Sequence, residues 1–141
     1  MRKSIIALIL AITLIIPIQN KTVLATKPTQ DSTQLKLQDM LMVFLTPYIY
    51  KDVSEYYKSS LKLNPIIEPW RIDVIQAKRV TGFRGFDFSL IIEVEPTVGQ
   101  HVLVGKDRIE YQLSFGPSVK LIKFTHLTTY ELPPDLKDIL R

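Results

Sequence analysis

The side chains best suited to chemistry are two histidines and a group of tyrosines. His101 lies in the long stretch PTVGQHVLVGKD, and His126 closes the run VKLIKFTH. Imidazole exchanges a proton near neutral pH and is the commonest general acid or base. For His101 that role requires a nearby acid, and Asp107 or Glu110 is the candidate. His126 follows Phe124 at the spacing of one strand face and reads as a structural residue capping the edge of a core. Two separated histidines do not make a zinc set, which takes three or four ligands, so no metal, no cofactor and no catalytic residue is assigned. Tyr48, Tyr50, Tyr56 and Tyr57 crowd a short segment. Tyrosine pairs an apolar body with a polar tip, which suits the wall of a ligand cleft as well as the seal of a small core. Tyr48, Tyr56, Tyr57 and His101 are therefore the candidate ligand-binding residues.

The element that must carry the tyrosines is Ser32 to Leu61. Apolar residues fall at Leu37, Leu41, Phe44 and Tyr48, and at Leu45, Ile49, Val53 and Tyr56. Steps of three and four mark one face of a helix. Ser32 or Thr33 is suited to cap its first N–H groups. Pro47 removes one N–H and crowds the carbonyl of Val43, which predicts a kink or two helices in tandem. Asn64-Pro65 and Glu68-Pro69 end the helical region.

Four strands follow. Between Ile66 and Val80 the alternation slips at Val74-Ile75, as a bulge would make it. Phe86 to Glu95 is the most regular strand, with Phe86, Phe88, Leu90, Ile92 and Val94 on one face and mainly polar residues on the other. Arg108 to Phe115 repeats that pattern, with Ile109, Tyr111, Leu113 and Phe115 inward. Val119 to His126 is the fourth strand, with a mixed pattern. The connection from Pro96 to Asp107 is long for a hairpin. It is read either as a functional loop or as an extension of the third strand beyond a bulge at Gly105. In the tail, residues 127–141, Leu136, Ile139 and Leu140 share a face and Pro134 can open a turn; a short docking helix and a frayed end are both compatible with it.

The first residues read as an export signal. Arg2 and Lys3 precede an apolar run from Ile5 to Ile18, and Val23-Leu24-Ala25 suits signal peptidase. The expected division is a signal peptide at 1–25, a polar lead-in at 26–31, one domain at 32–126 and the tail. The run is shorter than a typical spanning helix; an uncleaved N-terminal membrane anchor is the alternative. The chain carries +4, and removing Arg2, Lys3 and Lys21 leaves +1. No lysine- or arginine-rich block remains, so nucleic-acid binding is not expected, and contact with a membrane is expected only through an uncleaved leader. With no cysteine, the chain has neither disulfides nor a lipoprotein attachment site. Export without disulfides points to the exterior of a Gram-positive cell.

Helix first and strands after imply α+β. The expected architecture is a kinked N-terminal helix packed on a curved four-stranded antiparallel meander, the plan of cystatin-like and nuclear-transport-factor-like folds. Phe88, Leu90 and Ile92 are expected to press on Leu41 and Phe44. Gln100-His101-Val102-Leu103-Val104-Gly105 is similar to the cystatin inhibitory hairpin glutamine–x–valine–x–glycine, but Val104 stands where the glycine belongs.

Pro47-Tyr48 in mid-helix, the Tyr56-Tyr57 pair, Gly99-x-His101 and Phe124-x-His126 lie within a stretch, residues 34–126, that resembles the exported Gram-positive family known as domain of unknown function 3888. That resemblance implies export and this fold, and no mechanism. The expected function is a non-enzymatic exported domain that binds a peptide, an envelope component or a small apolar ligand. Its site would lie between the tyrosine half of the helix, the inner sheet face and the loop. The alternatives are a small enzyme using His101 in a pocket and, more weakly, a cystatin-like protease inhibitor.

Overall fold

A computed structural model describes residues 30–116 and 118–141. The leader at 1–25 and the start of the lead-in lie outside the described residues. Helix α1 spans Thr33–Tyr57 as one uninterrupted element. Ser32 is its N-cap, and its Oγ accepts the N–H of Leu35 at 3.1 Å. The helix runs through Pro47 instead of dividing there. Pro47 and Val43 both face water, so the carbonyl that proline cannot bond is on the wet side. One residue earlier, the Thr46 hydroxyl donates to the Met42 carbonyl at 2.7 Å.

The buried line of α1 is Met42, Leu45, Ile49, Val53 and Tyr57. This corrects the expected face. Phe44 is 72 % exposed, and Tyr48 and Tyr56 are only partly covered. Two apolar stripes overlap on this helix, and the sheet covers the one centred on Ile49 and Val53. Phe44 therefore does not meet Phe88, Leu90 and Ile92, whereas Leu41 does pack at the core margin.

Strands β1 (Ile72–Arg79), β2 (Phe88–Val94), β5 (Gly105–Ser114) and β6 (Ser118–Thr129) form one antiparallel sheet in the order β1-β2-β5-β6. The expected slip in β1 is present as a register shift between Val74 and Gln76. Leu90, Ile92 and Val94 of β2 and Ile109 and Tyr111 of β5 face α1 and are buried. Phe86 and Phe115, expected inside, belong to turns at the strand ends and are exposed. The mixed pattern of β6 has a simple cause. Its register with β5 shifts twice, which leaves Ile122 and Leu127 without partners and turns the faces over at each point.

The long connection is a small hairpin of its own. β3 (Thr97–Val98) pairs with β4 (Val102–Leu103) across a turn in which Gly99 and His101 have positive φ. Val102–Val104 therefore does not extend the third strand. The tail is docked. Leu132 is buried, Pro134–Ile139 forms a 3-10 helix, and Leu140 bridges to Leu61. The buried apolar core among the described residues runs from Met42 to Leu132, so a chain of residues 26–141 carries the whole of it.

A candidate ligand-binding site at the tyrosine end of the helix

Two reciprocal polar ties lock the C-terminal half of α1 to β5. The helix supplies Tyr57, whose hydroxyl donates to Asp107 Oδ2 at 3.1 Å. The strand supplies Tyr111, whose hydroxyl donates to Asp52 Oδ2 at 2.8 Å. Burial makes the ionised phenolate costly and the neighbouring carboxylate repels it, so both hydroxyls are held well above the ordinary tyrosine value and remain donors.

Asp107 is wholly buried, at 0 % exposure. It occupies an inward position of β5, two residues before Ile109, and it is paired in register with His126 of β6. His126 Nδ1 lies 2.6 Å from Asp107 Oδ1, and Nε2 lies 2.8 Å from Thr129 Oγ1. Loss of solvent raises the Asp107 carboxyl above the ordinary aspartate value, while the hydrogen bonds from His126 and Tyr57 pull it back. Gly105 makes the cluster possible. A methyl group there would overlap the Tyr57 hydroxyl and come within 2.8 Å of the Thr128 carbonyl oxygen.

Tyr56 covers this buried cluster. Its ring stacks on Phe124 at 4.8 Å and 22°, on His126 at 5.2 Å and 24°, and meets Tyr57 edge-on. It remains 41 % exposed. Beside it runs an open groove of about 290 Å³ lined by Asp52, Glu55, Tyr56, Leu121 and Phe124. Tyr48 falls on the same helical line as Asp52 and Tyr56, at steps of four, and is partly exposed.

The four residues singled out from sequence therefore separate. Tyr48 and Tyr56 lie on one exposed helical line, Tyr57 lies beneath it as a buried support, and His101 belongs to another cluster. The His101 side chain is 68 % exposed at the tip of the β3–β4 hairpin, where its ring pairs with Glu68. Its acid partner is Glu68 in place of Asp107 or Glu110, and the pair lies at an exposed hairpin tip. His126, read as structural, is the histidine at the site. Sequence reasoning gave Asp107 to the wrong histidine, read Gly105 only as a bulge, and missed Asp52 and Thr129. The inward parity of 107, 109 and 111 was the available signal for Asp107.

Among the described residues, no three histidine or acidic side chains converge as a metal set. No helix among them is long and apolar enough to cross a membrane. No curated protein and no solved structure matches the chain. One family model does, over residues 37–128, a span that takes in most of α1 and all six strands up to the His126 cluster. The chain belongs to that family, described as "Protein of unknown function (DUF3888)".

Proposed function

We propose that this is an exported, non-catalytic binding domain whose groove beside Tyr56 takes a peptide segment that places a cationic side chain next to an apolar one. The carrying observation is the exposed Tyr56 ring, stacked on Phe124 and His126 and bordered by Asp52 and Glu55. Stacked aromatics give an apolar floor at little cost in side-chain freedom, and the carboxylates at the rim favour a cation. The buried Tyr57–Asp107–His126 cluster fixes that floor before any ligand arrives, which reduces the ordering cost of binding. The leader and the absence of cysteine support an exterior location.

The test is a titration of isotope-labelled residues 26–141 with short peptides, following amide shifts. Peptides combining arginine or lysine with leucine or phenylalanine should move Glu55, Tyr56 and Phe124 signals, and Glu55→Lys should weaken binding about tenfold. Shifts elsewhere only, or binding indifferent to Glu55→Lys and Tyr56→Ala, would discard the reading.

A second reading rests on the order Thr129–His126–Asp107, which is that of a hydroxyl, imidazole and carboxylate relay. It requires an organophosphonate to label Thr129 in the native chain and not in His126→Gln. No labelling of the native chain removes it. An enzyme built on His101 draws no support from an exposed hairpin tip.

A further inference from the structure

We propose that the end of the sheet opposite the His126 cluster rests on an anionic lipid bilayer, with Phe83, Phe86 and Phe115 entering the interface. This inference is independent of the groove beside Tyr56.

Three segments meet at that end. The pairing of Phe88 with Leu113 brings the β1–β2 turn and the β5–β6 turn to the same edge, on adjacent strands. Phe83 is 97 % exposed and Phe115 is 89 % exposed, with Phe86 and Val80 also uncovered. Water-facing phenylalanines at the tips of two turns bury almost nothing among the described residues. They also protrude, where a protein–ligand pocket would be concave. The third segment is the start of α1. The ties Asp52–Tyr111 and Tyr57–Asp107 show that the helix runs antiparallel to β5, so its first turns come to the Ser114 end. There Leu37, Met40 and Phe44, spaced by three and four, are exposed on one line.

The turns are built to hold their tips. Gly85 has no room for a side chain against the Thr81 carbonyl, and Gly116 has φ +90. The Arg79 guanidinium donates to the Gly85 carbonyl and lies over the Phe88 ring.

Two observations select a bilayer as the occupant. The first is charge. Residues 78–87 and 113–121 hold Lys78, Arg79, Arg84 and Lys120 against the single acid Asp87, while residues 31–44 add Lys36 with Asp31 and Asp39, so the positive charge lies at the two turns; cations beside their apolar tips match an anionic lipid surface. The second is connectivity. The chain preceding α1 joins the domain at this end, and its apolar run at residues 5–18 lies shortly upstream. Retained as an anchor, that run would hold this end of the domain against the membrane.

The experiment is co-sedimentation of residues 26–141 with phosphatidylcholine vesicles, with and without phosphatidylglycerol. Phe83→Trp, made in a Trp70→Phe background, serves as an optical probe. Binding to the anionic vesicles, a blue shift of the tip tryptophan, and weakening by salt are expected. Phe83→Ser with Phe115→Ser should lower binding on the order of tenfold or more. Because both rings are exposed, the urea midpoint of that variant should match the parent and exclude misfolding as the cause. No binding at low salt, or binding unchanged in the double variant, overturns the proposal. So does a dimer in solution, measured by ultracentrifugation, that the same double variant dissociates, since a second copy would then be the occupant.

Discussion

Two imidazoles in this molecule each face a buried carboxylate, and the two pairs are built for different ends. Asp107 is fully enclosed, and its partners are the Tyr57 hydroxyl and His126, both of which belong to the packed interface of helix and sheet. Glu68 is almost as buried, at 4 %, but it also receives the Arg71 Nε–H at 2.7 Å, while its histidine reaches in from an exposed hairpin tip. A buried carboxylate must be compensated. Glu68 has a permanent cation for that purpose and can spare its histidine. Asp107 relies on a hydroxyl and a ring, so each of its partners is indispensable.

The sharpest way to break this contrast is Asp107→Ala. It leaves the Tyr57 hydroxyl and His126 Nδ1 without their partner inside the fold, and a loss of about 3–5 kcal/mol is expected by urea denaturation. Gly105→Ala should cost about 1–3 kcal/mol, because the new methyl displaces Tyr57 from its carboxylate. If Gly105→Ala proves neutral, the Tyr57–Asp107 bond is not the tight element described here.

Much of this frame was legible in the sequence and the exceptions share a cause. Strict alternation located β2 and the inward side of β5, and the broken alternation at Val74-Ile75 located the bulge in β1. Ser32 was readable as a cap because its hydroxyl acts on its own chain neighbours. The errors lie where distant segments decide. Which of two overlapping stripes on α1 is buried depends on the sheet, and Phe44 was assigned to the wrong one. A long loop singles out His101 in the sequence, whereas His126 only ends a strand. Only the register of β5 with β6 places Asp107 opposite His126. The exposed Phe86 and Phe115 follow the hydrophobic pattern in sequence yet lie beyond the ends of the strands.

A smaller effect tests the electrostatics of the buried pair. Burial raises the Asp107 carboxyl in the folded state, offset in part by His126 and Tyr57. Between the ordinary aspartate value and the raised folded value, the folded chain holds a proton that the unfolded chain has released. Stability from this group is therefore complete below the ordinary value and is lost as pH rises through the folded one. Glu93 acts in the opposite sense. The Lys106 ammonium, with Arg108 assisting against partial burial, lowers its carboxyl, so its contribution is present above the ordinary glutamate value and disappears as pH falls. Asp107→Asn keeps the shape and removes one titration. Subtracting its urea midpoints from those of the parent between about pH 3.5 and pH 7 should leave a difference that declines with rising pH. A difference that grows with pH contradicts the raised value.

The least effect belongs to His101, and it separates the two pairs most cleanly. His101→Ala removes an exposed ring from a carboxylate that keeps Arg71. A pair with one solvent-exposed partner contributes less than about 1 kcal/mol, and the alanine inherits the same positive φ. His126→Ala should instead expose a partly unpaired Asp107 and strip a stacking surface from Tyr56. The two substitutions, compared by urea midpoint at one pH, should therefore differ severalfold. His101→Gly adds a second measure: glycine relieves the left-handed backbone at that turn, so it should be at least as stable as His101→Ala. Equal losses at His101 and His126 would mean that Arg71 does not compensate Glu68, and the distinction between a replaceable and an irreplaceable imidazole would have no basis.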